Sequence, residues 1–265
     1  MITGQRILIT GASHGLGLEL AALFTAQDNE IIAISKHQHD SIRFPKTTSK
    51  SLDIADKEAV RKVLAELTEA GMLPDIVIFN AAIHLPDNDP FIDFQRFSDV
   101  IDVNMMSVFN FLACLMPALS KPVTFVFCSS GAIIFPNPAY HGYYLSKLAV
   151  TKTFDHFADR YARLGFRFKS VVLGPMHSRM LDDSQPPAGI VRFLRDATTG
   201  NYKDAAAKIS RFIEKPGKRM YCGKASACIL WLGRIAQRLL PRALKFYQAP
   251  KSAGRGKPRS KPQAG

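Results

Sequence analysis

A tyrosine and a lysine four residues apart, with a serine upstream, are the side chains of this sequence best suited to acid–base chemistry. Tyr143 follows Ser130 by thirteen positions and precedes Lys147 by four. Residues four apart share one face of a helix, which would place an ammonium beside a phenol. Because a nearby cation favours the phenolate, we expect a pKa for Tyr143 below the usual value of about 10.

Such a tyrosine can donate a proton to a carbonyl oxygen or accept one from an alcohol. Ser130, delivered by a predicted strand at 123–128, would hold the same oxygen by a hydrogen bond. The Tyr–Lys spacing alone also describes a solvated helix face, so the elements around it must decide between the two interpretations.

A glycine-rich turn follows the first predicted strand, residues 6–10, and leads into an apolar helix. Strand, turn and helix in this order place backbone N–H groups against a diphosphate. Gly11 permits the tight turn, Gly15 lets the phosphates approach, and Gly17 lets helix and strand pack closely. His14 would assist there if protonated, or is a bystander. The predicted cofactor contacts in this turn are Gly11, Ser13, His14, Gly15, Leu16 and Gly17.

The end of the second predicted strand, residues 30–35, indicates which dinucleotide binds. Where an NAD site would place an acid for the ribose 2′-hydroxyl, this chain has Ser35 and Lys36. A hydroxyl and a cation suit a 2′-phosphate better, so we expect NADP(H) over NAD(H); the alternative is a solvated loop lysine. A short third strand is expected at 51–54, with Asp53 and Ile54 at the adenine edge.

The remaining predicted elements add further candidates. A strand at 75–79 runs into Asn80 and Ala81, whose backbone would lie against the ribose and nicotinamide. His84 is expected at the surface or at the mouth of the pocket.

A helix over 94–119 contains Asn104, which is either a satisfied core amide or the site of a local helix opening that holds a water near Lys147. A strand at 166–173 is followed by the last candidates, Gly174, Met176 and Ser178.

Alternating strands and helices predict an α/β fold, a Rossmann-like doubly wound parallel sheet of about seven strands in one domain over 1–222. The site is expected at the carboxyl ends of the strands. The Pro- and Gly-containing segment at about 181–215, helical from 203, would cover the substrate pocket, and 219–222 would form an edge strand.

The positive charge is confined to the last quarter of the chain. Residues 1–199 carry 19 Lys and Arg against 20 Asp and Glu (net −1), whereas residues 200–265 carry 16 against 2 (net +14). Residues 223–249 predict a basic amphipathic helix and 250–265 a disordered basic tail. The helix would lie on an anionic membrane surface or pack on the body or a partner subunit; no nucleic-acid partner is expected.

Four cysteines without CxxC spacing argue against a disulfide framework and a metal site, and they fit a reducing compartment. No signal peptide and no apolar run long enough to span a bilayer are expected. We therefore expect a cytoplasmic protein, with peripheral membrane association through its C-terminal helix as an alternative.

With these positions together, residues 5–180 resemble the short-chain dehydrogenase/reductase family. Residues 10–17 match its TGxxxGxG turn. Residues 80–82 resemble its NNAG stretch, with Phe79 in place of the first Asn and Ala82 in place of the Gly. Residues 173–178 resemble its PGxxxT stretch, with Leu173 in place of the Pro and Ser178 in place of the Thr. The four residues of its catalytic tetrad match Asn104, Ser130, Tyr143 and Lys147. The acid that contacts adenine in this family matches Asp53.

The resemblance implies that Tyr143 is the general acid/base, that Lys147 holds the nicotinamide ribose, and that Ser130 orients a substrate carbonyl. Asn104 would anchor a proton-relay water. It also implies a homodimer or homotetramer and an NAD(P)-dependent interconversion of ketone and secondary alcohol on a lipid, a sugar or another small carbonyl compound. The alternative is a catalytically silent dinucleotide-binding regulator, a class that usually loses the tyrosine, lysine or serine kept here.

Overall fold

Short strands, most of them apolar at nearly every position, form a single parallel sheet. The computed structural model describes residues 1–37, 44–86, 93–134, 136–137, 139–176 and 199–223, all within one compact unit, Met1–Ser226. The strand order over these residues is β3-β2-β1-β4-β5-β6-β7, with every neighbouring pair parallel. The strands are β1 (Arg6–Thr10), β2 (Glu30–Ser35), β3 (Thr47–Ser51), β4 (Ile76–Phe79), β5 (Thr124–Ser130), β6 (Arg167–Leu173) and β7 (Arg219–Cys222).

Helices cover both faces of this sheet, which is why its central strands are apolar on both sides. In β1, Ile7 and Ile9 pack on one face while Leu8 packs on the other. The helices are α1 (Gly15–Ala26), α2 (Lys57–Glu69), α3 (Phe94–Ile101), α4 (Ser107–Ala118), α5 (His141–Arg160) and α6 (Tyr202–Glu214). The buried side chains of α1 and α6 belong to one core layer and those of α2, α4 and α5 to the other, so the doubly wound architecture is confirmed.

Local sequence explains where these helices begin and which face they bury. The Asp56 carboxylate caps α2 by accepting hydrogen bonds from two backbone N–H groups, and the Asn201 side-chain oxygen caps α6 by accepting one from Asp204. In α2 the buried residues Val60, Leu64 and Leu67 recur at helical spacing.

The stretch Phe94–Ala118 is the one helix in the described part of the chain whose length and apolar composition would allow it to cross a bilayer, which the sequence analysis did not expect. Here Phe111, Leu112 and Leu115 from this stretch are buried in the core against the sheet. The apolar character of the helix therefore serves packing within the fold.

Two expectations about the chain's organisation change. The third strand lies at Thr47–Ser51, earlier than the predicted 51–54, because its sequence TTSKS is polar and only the pairing with β2 defines it. In the segment at 181–215 that was expected to cover the pocket, α6 is instead a core helix, with Ala205, Ile209 and Phe212 buried beside α1. Ser178, residues 181–198 and residues 224–265, with the predicted basic helix and tail, lie outside the described residues.

A buried lysine of β6 caps the carboxyl end of α6. The Lys169 side chain donates hydrogen bonds from Nζ to the backbone oxygens of Phe212 (3.2 Å), Lys215 (2.6 Å) and Gly217 (3.0 Å). These carbonyls belong to the last turn of the helix and the residues after it, where intrahelical donors run out; the Phe212 oxygen also accepts the backbone N–H of Lys215 at 3.2 Å. Burial lowers the pKa of Lys169 to about 8, but three acceptors hold the amine in place.

Replacing this lysine should destabilise the fold. Lys169→Met keeps the apolar stem but removes three hydrogen bonds from a buried amine to backbone oxygens, so we expect the free energy of unfolding to fall by about 2–3 kcal/mol. Denaturant titration followed by circular dichroism measures this change. Lys203→Met, which alters an exposed lysine of the same helix, is the control and should leave stability within about 0.5 kcal/mol. Equal stability of the two variants would contradict the capping role.

Candidate active site

The lysine of the Tyr–Lys pair is buried, which rules out a solvated helix face. Lys147 is 2% exposed, and its Nζ donates a hydrogen bond of 2.8 Å to the backbone oxygen of Cys128 near the end of β5. The ammonium also lies 4.8 Å from the centre of the Phe127 ring. Burial lowers the pKa of Lys147 to about 8, so the charged form still predominates at neutral pH.

Two hydroxyl groups fix how α5 docks on β5. Ser129 and Thr151 hydrogen-bond through their side chains at 2.6 Å, and the Thr151 hydroxyl also donates to the backbone oxygen of Lys147. The hydrogen bond between Ser129 and Thr151 fixes the position of α5 along β5. Neither residue was singled out from the sequence, although each adjoins or follows a tetrad residue at helical spacing.

The same docking brings Tyr143 to Ser130. A hydrogen bond joins their side chains. The Ser130 hydroxyl is itself oriented because it accepts the backbone N–H of Ala132 at 3.2 Å and so caps a 3₁₀ turn, Gly131–Ile133. A serine and a tyrosine hydroxyl therefore meet at the carboxyl end of β5, as the sequence predicted.

The pKa of Tyr143 moves in the opposite direction to our expectation. Burial raises it, and the hydrogen bond from Ser130 opposes that rise without reversing it. The reason is where the ammonium of Lys147 lies: it is held against the Cys128 carbonyl, 5.7 Å from the centre of the phenol ring. In this arrangement Tyr143 is a protonated phenol, suited to donating a proton.

Asn104 is a satisfied core amide and also lies at a local opening of the helix, while the water it was expected to hold near Lys147 stays a prediction. It lies in a π-helical turn, Asp102–Met106, which interrupts the helix between α3 and α4. Its side-chain amide is 1% exposed and exchanges two hydrogen bonds with the backbone of Ile83, at 2.8 and 2.9 Å. It also donates to Ser146 at 3.3 Å, and the Ser146 hydroxyl donates to the backbone oxygen of Tyr143. Ser146 thus ties Asn104 to the helix of the Tyr–Lys pair, a role the sequence did not reveal.

The glycine turn forms a cradle that only glycine permits. A Cβ at Gly17 would lie 2.1 Å from the backbone oxygen of Gly11, and one at Gly11 would lie 2.8 Å from Cα of Ala81. Gly11 and Gly15 also have positive φ, at 68° and 56°. His14 precedes α1 in extended conformation and gives it no side-chain cap, so the amino end of α1 has no side-chain acceptor from that residue.

The side chains of the neighbouring candidates contact other residues of this chain. Asn80 uses its side-chain amide to donate to the backbone oxygens of Thr10 and Gly11, which joins the ends of β1 and β4. Leu16 and Ile54 are buried in the core layers. Ser13 and His14 hydrogen-bond to each other through their side chains at 2.9 Å.

The two candidates for the 2′-phosphate already have partners within the chain. Lys36 forms an ion pair with Asp53 at 2.7 Å, and this contact raises the lysine pKa and lowers that of the carboxyl. The Ser35 hydroxyl donates to the backbone oxygen of His37 at 2.8 Å. The predicted adenine acid and the predicted phosphate cation therefore lie together, at the ends of β2 and β3.

The last two described candidates, Gly174 and Met176, follow the carboxyl end of β6. Gly174 donates its N–H to the backbone oxygen of Cys222 at 2.7 Å, and Met176 forms an isolated parallel bridge with Gly200. The described candidates thus follow, or pack against, the carboxyl ends of strands β1 to β6. A glycine cradle at a helix N-terminus, a cation at the end of β2 and a buried lysine beside a tyrosine fit a nicotinamide dinucleotide.

His84 is part of the site, where the sequence favoured a surface residue. Its ring stacks on Tyr140 with a centroid distance of 3.7 Å and meets the Tyr143 ring edge to face at 4.7 Å. The backbone just before it is held by Asn104 through Ile83. Only the adjacency of His84 to the Asn80–Ala82 stretch could have indicated this position from sequence.

Comparison with known proteins agrees with this geometry. The sequence profile of the family described as short chain dehydrogenase matches residues 5–188. A glucose 1-dehydrogenase of Gluconobacter oxydans is 27% identical over 226 residues, covering 78% of this chain and 84% of that protein.

Solved structures share the fold. A short chain dehydrogenase from Burkholderia cenocepacia in complex with NADP superimposes with a TM-score of 0.73 at 20% identity, covering 91% of this chain and 97% of that one. A short chain dehydrogenase from Leptospira borgpetersenii with bound NAD⁺ gives a TM-score of 0.71 at 17% identity, covering 83% and 91%. With the family profile spanning most of the sheet and the whole tetrad, the chain belongs to the short-chain dehydrogenase/reductase family of NAD(P)-dependent oxidoreductases.

Proposed function

We propose that this protein is an NADPH-dependent carbonyl reductase that interconverts a ketone and a secondary alcohol. The observation that carries the proposal is the buried Lys147 beside Tyr143, with Ser130 hydrogen-bonded to the same phenol. These groups lie on the same sheet edge as the glycine cradle. The NADP and NAD⁺ named for the two solved structures support a dinucleotide of either kind, and Lys36 favours NADPH here.

The residues of the chain account for the proton side of the reaction. When bound, the nicotinamide supplies the hydride that adds to the carbonyl carbon. Tyr143 donates its phenolic proton to the carbonyl oxygen, and the Ser130 hydroxyl hydrogen-bonds to that oxygen. The Lys147 ammonium stabilises the phenolate that results, and solvent returns the proton. The raised pKa of Tyr143 keeps the phenol protonated and so favours reduction at neutral pH.

Loss of the phenol should abolish turnover. We expect NADPH oxidation by Tyr143→Phe to fall by about 10³-fold or more on a panel of short ketones, long-chain ketoacyl compounds and keto-sugars. Tyr144→Phe is the matched control, because the neighbouring tyrosine has no lysine four residues on. Turnover retained in Tyr143→Phe would exclude the mechanism. Tight NADPH binding without turnover on any substrate by the wild type would favour the catalytically silent alternative.

The cofactor preference can be tested without adding a negative charge. Lys36→Met removes the cation at the end of β2, and we expect the NADPH dissociation constant to rise roughly fivefold to tenfold while that of NADH changes little. Isothermal titration calorimetry measures both. Lys50→Met is the control, because Lys50 is also ion-paired, to Glu66, but lies on β3 away from the cradle. An unchanged ratio of the two constants would remove Lys36 from cofactor selection.

The ring contact of His84 should matter for the rate and not for cofactor binding. His84→Ala removes the ring that packs against Tyr143, so we expect kcat to fall about tenfold with an unchanged dissociation constant for NADPH. His84→Phe keeps an aromatic ring and should restore most of kcat. If His84→Phe is as slow as His84→Ala, the imidazole nitrogens carry the effect and the ring-positioning account is wrong.

A further inference from the structure

The amino ends of α1 and α6 lie side by side at the glycine turn. At their start, Gly15 is next to Tyr202. About two turns further along α6 and three along α1, Ser210 hydrogen-bonds to Gln27, the residue that follows α1, at 3.4 Å. The two helices are therefore parallel, and the positive ends of both helix dipoles face the same region.

The position of Tyr202 is defined by the chain before and after it. Gly200 donates its N–H to the backbone oxygen of Pro175 at 2.9 Å and forms a β-bridge with Met176. The residues just before Tyr202 therefore lie beside those that follow β6. Asn201 then caps α6 by accepting the N–H of Asp204 at 2.7 Å, and Tyr202 is the first residue of that helix. Tyr202 also packs, half-buried, against the core layer of α1 and α6.

The phenol of Tyr202 lies against Gly15, where the glycine turn passes into α1. A Cβ at Gly15 would be 3.3 Å from Cζ of Tyr202 and 3.4 Å from its hydroxyl oxygen. The phenolic O–H is thus a hydrogen-bond donor beside the amino end of α1, where the turn presents its backbone to a diphosphate. The one carboxylate in the first turn of α6, Asp204, accepts a hydrogen bond from the Asn201 side-chain amide at 2.8 Å.

We propose that Tyr202 is a cofactor-binding residue whose hydroxyl donates a hydrogen bond to the diphosphate of the dinucleotide, on the side of the turn that faces α6. This inference rests on the proposed dinucleotide-dependent function. It adds a contact from α6, the last helix in the described part of the chain, to a cradle otherwise built from the first strand and helix. Cofactor binding thereby depends on the position of α6 as well as on the glycine turn.

The test compares cofactor fragments in the full-length protein. Tyr202→Phe removes only the hydroxyl, so the dissociation constant of NADPH should rise about tenfold. Adenosine 2′-phosphate, which lacks the diphosphate, should bind wild type and variant equally. Tyr161→Phe, at the far end of α5, should bind both ligands like the wild type.

Two results would overturn the assignment. Equal NADPH affinity of wild type and Tyr202→Phe would exclude the hydrogen bond, and equal weakening of NADPH and adenosine 2′-phosphate would show a general disturbance of the site. Failure of the wild type to bind either NADPH or NADH would instead reject the proposed function itself, so the two failures are distinguishable. If NADH binds more tightly, the same comparison uses NADH and adenosine.

Discussion

The buried ammonium of Lys147 is the constraint on which the rest of the site depends. An ammonium removed from water costs several kcal/mol unless its donors are satisfied, so the folded chain must offer it an acceptor. The backbone oxygen of Cys128 and the ring of Phe127 do so, and both belong to β5. Helix α5 can therefore dock in only one position along that strand, and this position also brings Tyr143 to Ser130.

The features that could be predicted from sequence are those encoded over a few neighbouring residues. The bounds of β1 and β2 match the prediction because each strand is an apolar run ended by a polar residue or a turn. The glycine cradle followed from spacing for the same reason. β3 was misplaced because its polar side chains carry no pattern, and the capping role of Lys169 was missed because its three acceptors lie more than forty residues away in sequence.

The pKa of Tyr143 shows why a correct pair of residues does not determine their electrostatics. The spacing placed ammonium and phenol on one helix face, which is what the structure has, and Coulomb attraction alone would favour the phenolate. Burial acts on both groups at once: it lowers the pKa of Lys147 and raises that of Tyr143. Burial depends on the packing of β4, α3 and α5 around the pair, including His84 and Tyr140, and no local pattern in the sequence encodes it.

The ion pair of Lys36 with Asp53 bears on how strictly the protein would select NADPH. Their side chains are 64% and 40% exposed, so solvent screens this ion pair and it stabilises the fold little. A 2′-phosphate can therefore replace the carboxylate as the partner of Lys36 at little cost. The displaced Asp53 stays nearby, where the backbone N–H of Ala55 still donates to it and lowers its pKa, and its carboxylate repels the phosphate. One cation opposed by one carboxylate would limit the proposed preference for NADPH to a moderate one that does not exclude NADH.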